Sequence, residues 1–146
     1  MIQGSDEWKA ARCGSLGASQ IAAMMARTKS GWGASRASLA AQLVVERLTE
    51  VPTEGFMNDA LRWGQEHEAD ARVAYEFRTD STVDEVGIIP HPTIAKSHAS
   101  PDGLVGTDGL VEIKCPTSAT HIETLLDPRP DTKYVLQMQW QMACTG

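Results

Sequence analysis

Two short runs hold the residues whose types and spacing could do chemistry. Ser100-Pro101-Asp102-Gly103 and Val111-Glu112-Ile113-Lys114-Cys115-Pro116 put an acid, a second acid and a lysine within thirteen positions. Leu104, Val105, Leu110 and Val111 surround Gly106-Thr107-Asp108-Gly109, a turn signal, so the stretch reads as a tight hairpin. Side chains alternate along a strand, so Glu112 and Lys114 share one face while Ile113 enters the core from the other. Asp102 and Glu112 would offer oxygens to a hard divalent cation, and Lys114 can hold or polarise an attacking water. Glu-x-Lys alone is an ordinary solvated strand face. Pro-Asp before it and Cys-Pro after it give the pattern its weight.

The hairpin register decides whether such a site exists. With Thr107-Asp108 as a two-residue loop, Val105 would oppose Leu110 and Asp102 would oppose Ile113, which turns Asp102 to the core face and breaks the site. The site therefore requires a loop of three or four residues, or a bulge, that shifts the pairing by one. Gly103 and Gly109 are the residues expected to host such a bulge.

The elements that must position this hairpin follow from periodicity and caps. Residues 5–12 read as a short helix capped by Ser5 and stopped by Gly14, and residues 15–26 as a second helix with Ser19 near its start. Residues 29–33 form a flexible basic loop whose Trp32 either stacks on a base, wedges a duplex end, or tucks against the core. Residues 35–50 are a helix with Leu39, Leu43, Val44 and Leu48 at core spacing, and residues 58–78 a long helix. Residues 83–89 read as a strand, 95–100 lead into the hairpin, and 118–126 and 132–143 are helices. The fold class is α/β: a mixed sheet flanked by helices.

Composition sets outer bounds. A chain of 146 residues is expected to form one domain with a single core. No apolar run approaches membrane-spanning length and no export signal opens the chain, so a soluble, cytoplasmic protein with no membrane partner is expected. Cys13, Cys115 and Cys144 are odd in number and widely spaced, which suits reduced thiols. His67, His91, His98 and His121 show no zinc-ligand spacing, and His67-Glu68 is not a metalloprotease H-E-x-x-H. The net charge of −6 speaks against DNA binding until its distribution is considered. Residues 8–45 contain no acid and carry +5 from Lys9, Arg12, Arg27, Lys29 and Arg36, whereas the remainder carries −11. A polyanion-facing N-terminal region on a repelling body is the implication.

The Pro101-Asp102 and Glu112-Ile113-Lys114 runs resemble the PD-(D/E)xK nuclease superfamily. Their neighbours, together with Trp63-Gly64-Gln65-Glu66-His67-Glu68-Ala69-Asp70-Ala71-Arg72, which is similar to the family pattern W-G-x-x-x-E-x-x-A-R, narrow the resemblance to lambda-type alkaline exonucleases of the viral recombinase branch. That resemblance implies a restriction-endonuclease-like fold and an Mg²⁺-dependent (or Mn²⁺-dependent) deoxyribonuclease that digests one strand of double-stranded DNA from 5′-phosphorylated ends in phage-type recombination. It implies that Asp102, Glu112 and the Ile113 carbonyl hold the metal, with Glu68 beside them, and that Lys114 and Gln137 orient the water; Gln139 and Gln141 are the lesser matches. Arg12 and Ser19, and less directly Lys29, would hold the terminal phosphate, while Gly17 replaces a threonine of the family pattern, which leaves one phosphate contact absent or made by backbone. Gly64, one turn before Glu68, would allow close approach of a backbone or substrate. A homotrimer ring and a single-strand annealing protein as partner follow from the same resemblance. Family members continue with a further strand and helix where this chain stops at Thr145-Gly146, so their C-terminal elements are expected to be missing. An endonuclease or junction resolvase of the same superfamily, or a non-catalytic DNA-end-binding relic, are the alternative readings.

Overall fold

A computed structural model describes residues 3–53, 55 and 57–146. In chain order it contains α1 (Asp6–Arg12), β1 (Leu16–Gly17), a 3₁₀ turn (Ala18–Gln20), α2 (Ile21–Met25), β2 (Arg27–Thr28), β3 (Gly31–Trp32) and α3 (Ala34–Thr49). There follow α4 (Asp59–Thr79), β4 (Val83–Asp84), β5 (Ile89–Pro90), β6 (Ser97–Ala99), β7 (Gly103–Val105), β8 (Gly109–Val111), α5 (Ser118–Leu126) and α6 (Thr132–Thr145). Two compact units result: Met1–Glu54 with Val86–Ser100 and Asp131–Gly146, and Gly55–Glu85 with Pro101–Pro130.

In the first unit, Ser5 caps α1 by accepting from the Trp8 N–H at 3.2 Å, and acids at its start and bases at its end complement the helix dipole. Gly14 follows with φ +65°, and a Cβ there would stand 2.5 Å from Arg47 Cγ, so both backbone conformation and close passage of α3 demand glycine. The turn is strapped to α3 twice: the Gly14 N–H donates to Glu46 Oε2 at 2.8 Å, and Arg47 Nε donates to the Gly14 carbonyl at 2.6 Å. Glu46 also accepts from Gln42 and from the Thr53 N–H. Burial would raise its pKa, but these hydrogen bonds outweigh it and hold the carboxyl below its usual range.

Glu46 explains why the expected stripe on α3 is only half right. Leu39 and Leu43 are buried, but Val44 and Leu48 are exposed, because the third inward place goes to the carboxylate that satisfies two backbone donors. The helix expected over 15–26 is also corrected. Gly17 is extended (φ −90°, ψ 156°) and lies in β1, and only Ile21–Met25 is α-helical. The basic stretch expected as a flexible loop is a small antiparallel hairpin, with Arg27 opposite Trp32.

β6 is the centre of a three-stranded sheet, parallel to β1 (Gly17 beside His98) and antiparallel to the edge strand β5 (Pro90 beside His98). An edge is where a strand proline is tolerated. Ala18, Ala99 and Cys144 form the core, with Ile89 and Trp140 packed against it. α6 starts at Asp131, whose side chain accepts from the Lys133 N–H, and turns Gln137, Gln141 and Cys144 inward.

In the second unit, Asn58 caps α4 by accepting from the Leu61 N–H at 2.8 Å. Glu76, near the helix end, accepts from the Val83 N–H at 2.7 Å and ties α4 to β4. β4, β7 and β8 form an antiparallel sheet in that order. The single strand expected over 83–89 is instead two, Val83–Asp84 and Ile89–Pro90, in different sheets. Glu85 turns its carboxylate to Arg72, and the Gly87 carbonyl accepts from Ser100 Oγ rather than from a ladder partner.

Candidate active site

The β7–β8 register is the one the site needs. Gly103 pairs with Val111, Leu104 with Leu110 and Val105 with Gly109, leaving Gly106-Thr107-Asp108 as a three-residue loop. One step beyond the last pair, Asp102 stands opposite Glu112, so both leave the hairpin on one face. The irregularity falls on Gly106 (φ +61°), not on Gly103 or Gly109 as expected. Those two glycines serve close approach: a Cβ on Gly103 would collide with Val83 Cγ1 of β4, and one on Gly109 would stand 2.6 Å from the Val105 carbonyl.

Asp102 Oδ2 accepts a hydrogen bond of 2.6 Å from the Ile113 N–H. Burial, then Glu112, pushes its pKa up to about 7; Glu68 adds to the rise, while the Ile113 N–H and Lys114 oppose it. Glu112, whose side chain is only 6% exposed, is ion-paired with the half-exposed Lys114. Glu68, on α4, is paired with Arg72 at 3.1 Å, and Arg72 also reaches Glu85. The same field of carboxylates lifts the Cys115 thiol, with burial the larger cause and Glu68, Asp102 and Asp70 following. A Cβ on Gly64 would meet only the Cys115 carbonyl, at an ordinary 3.8 Å, so this glycine borders the site without being forced by contact. Glu66 and Asp70 are exposed.

This donor set fits a divalent cation. Among the described residues no three His, Cys, Asp or Glu side chains form a metal-holding group. Two neighbouring carboxylates are a partial shell that a hard divalent cation accepts, because it keeps waters and takes further oxygens from substrate phosphate. A carboxylate crowded by two others, with its pKa near neutrality, is electrostatically short of positive charge.

The expected phosphate ligands lie in the other unit, with Gln137. Arg12 packs its guanidinium 4.0 Å from the centre of the Trp8 ring, and Trp8 Nε1 donates to Ser100 Oγ at 3.1 Å. Burial lowers the Arg12 pKa, Glu46 partly offsets this, and the side chain makes no ion pair among the described residues. Ser19 is exposed on the 3₁₀ turn and Lys29 is exposed at the hairpin tip. Trp32 is 47% exposed and carries two guanidinium groups, Arg27 at 3.8 Å and Arg36 at 3.9 Å, so it is neither tucked into the core nor a bare stacking platform. Gln137 and Gln141 are buried on α6, whereas Gln139 is exposed. The contact between Trp8 and Ser100 spans 92 positions and leaves no local signal in the sequence.

A mixed α/β chain whose acid, acid and lysine converge on a hairpin has the restriction-endonuclease-like fold of nucleases. Residues 7–146 match the model of the YqaJ-like viral recombinase domain, and the chain belongs to that family. It is similar to the crystal structure of LHK-Exo in complex with dAMP, at 50% identity and a TM-score of 0.88. It is likewise similar to a structure of an alkaline exonuclease (LHK-Exo) from Laribacter hongkongensis, at 49% identity and 0.88; both comparisons cover 97% of this chain and 69% of that one. No curated protein matched. The three cysteines are free thiols, and no described helix is long and apolar enough to cross a membrane.

Proposed function

We propose that this chain is a divalent-metal-dependent DNA exonuclease that digests one strand of a duplex from its 5′-phosphorylated end. The observation that carries the reading is the three-residue loop, whose register, continued one step, puts Asp102 opposite Glu112, the residue with which Lys114 is ion-paired. Asp102, Glu112 and the Ile113 carbonyl would hold the cation, Mg²⁺ by preference, and Glu68 deepens the negative field that attracts it. When bound, the metal supplies Lewis-acid polarisation of the scissile phosphate. Lys114, anchored on Glu112, would orient the attacking water and lend it charge. Gln137 takes the supporting role toward water that the family resemblance gives it. Arg12, a half-buried cation without an ion-pair partner among the described residues, fits the dianionic terminal phosphate. Assembly into a ring of three and work beside an annealing protein rest on the resemblance.

The test is digestion of linear duplex with and without 5′-phosphate, in Mg²⁺ and in chelator, beside closed circular plasmid. Loss of the phosphorylated strand from its 5′ end in Mg²⁺ alone is expected. Cutting of the closed circle would favour the endonuclease reading, and metal-independent end binding without cleavage the relic.

A further inference from the structure

We infer that Trp8 is a positioning residue for end recognition: its indole face fixes where the Arg12 guanidinium points, and Ser100 in turn fixes the indole. This deepens the end-recognition reading and rests on it. Arg12 ends α1, and the turn after it is strapped to α3 through Gly14. The strap fixes the Arg12 backbone but leaves a long side chain to rotate. Among the described residues that side chain makes no hydrogen bond and no ion pair; its guanidinium lies 4.0 Å from the centre of the Trp8 ring, one helical turn back. The indole is itself held: Trp8 Nε1 donates to Ser100 Oγ at 3.1 Å, and Ser100 Oγ donates to the Gly87 carbonyl at 3.0 Å. A hydroxyl that gives its proton to a carbonyl keeps its lone pairs for the indole N–H.

Stacking on an aromatic ring suits a phosphate ligand. It engages the flat face of the guanidinium and leaves the N–H donors around its edge for a bidentate contact with phosphate oxygens. No Arg12 nitrogen is among the buried atoms that lack a partner, so those donors keep access to solvent. A carboxylate in the place of Trp8 would hold the cation as firmly, but it would neutralise it and compete with the phosphate. The ring holds it and keeps its charge available. Glu46, the acid whose field reaches Arg12, has its oxygens occupied by the Gly14 and Thr53 N–H groups and by Gln42. Ordering the side chain before DNA arrives also removes its rotamer cost from binding.

The experiment measures binding of short duplexes with 5′-phosphate or 5′-hydroxyl ends, in chelator so that cleavage does not intervene and the ratio of the two affinities reports the end phosphate. Wild type should prefer the phosphorylated end, and Arg12→Ala should remove most of that preference. Trp8→Leu should lower it about three- to tenfold, the scale of a cation–π contact, and Trp8→Phe, which keeps an aromatic face, should retain most of it. In the Arg12→Ala background Trp8→Leu should change the ratio no further, because the ring acts through the guanidinium. Ser100→Ala is the second, milder variant: it releases the indole edge while the ring stays, and should lower the preference about two- to threefold, the low end for one hydrogen bond. A purely packing role for Trp8 would lower the melting temperature and leave the ratio where it was. Preference retained in both Trp8→Leu and Ser100→Ala, or lowered equally by Trp8→Leu in the wild-type and Arg12→Ala backgrounds, would overturn the inference and leave the underlying reading standing. A wild type indifferent to the end group, or an Arg12→Ala protein that keeps the preference, would overturn both.

Discussion

Lys114 and Asp102 do different work, and their substitutions should separate it. Lys114 is half-exposed and bound to Glu112, so removing it leaves the fold's packing intact but takes away the ammonium proposed to act on the reacting water. Lys114→Ala should slow single-turnover cleavage about 10²- to 10³-fold, the cost of one preorganised transition-state group, with duplex affinity in chelator unchanged. A variant that cleaves within a few-fold of wild type would remove Lys114 from the chemistry. Asp102→Asn should abolish cleavage yet leave the melting temperature of the chelated protein equal or a few degrees higher. It deletes a charge that burial, Glu112 and Glu68 all disfavour, and keeps an oxygen for the Ile113 N–H. A clear fall in melting temperature would show that the ionised carboxylate supports the fold. Asp102, Glu112 and Lys114 were legible in the sequence because one hairpin carries all three. Trp8 and His98 were not, because their partners Ser100 and Ser15 lie 92 and 83 positions away and only the fold brings them in.

At the level of elements, the hairpin is held in register by close packing at its base. The Gly103 Cα faces β4 so closely that any Cβ meets Val83 Cγ1 and approaches the Asp84 carbonyl to 3.2 Å. Gly103→Ala should therefore destabilise the protein by about 1–3 kcal/mol, as overpacking does, and reduce cleavage, since Asp102 is the next residue. Denaturant unfolding beside an activity assay checks both; an alanine variant of full stability would mean that β4 yields freely. Three helices were readable from sequence: α1 from its Ser5 cap, and α4 and α5 from their spans, which the structure matches closely. α3 was placed well but its inward face was misjudged, because apolar spacing cannot announce that a buried glutamate will serve Gly14 and Thr53. Residues 83–89 showed strand propensity throughout, but propensity does not reveal that one half pairs with β7 and the other with β6.

For the molecule as a whole, the fold class followed from the motif resemblance, whereas the division into two units had no marker in composition. Stability against pH is a property of this scale, and His98 makes it testable. Its folded pKa is about 4, lowered by burial and then by Arg12, against an ordinary value of 6.5. Above pH 6.5 the ring is neutral in both folded and unfolded chains and costs nothing. As pH falls from 6.5 toward 4, the unfolded chain binds a proton that the folded one refuses, so stability is lost through that window and the loss levels off below it. Glu46, held below its usual range by hydrogen bonds, adds a loss of the same sign at lower pH. In a His98→Gln variant the imidazole contribution is gone, while every other titrating group, Asp102 included, is common to both proteins and cancels in the difference. The melting temperature of wild type relative to His98→Gln should therefore be constant from pH 7 to 8 and fall steadily between about pH 6.5 and 4. A difference that stays flat over that interval would mean that the ring takes up its proton in the folded protein as readily as in water, and that Arg12 and burial do not act on it as the structure has them.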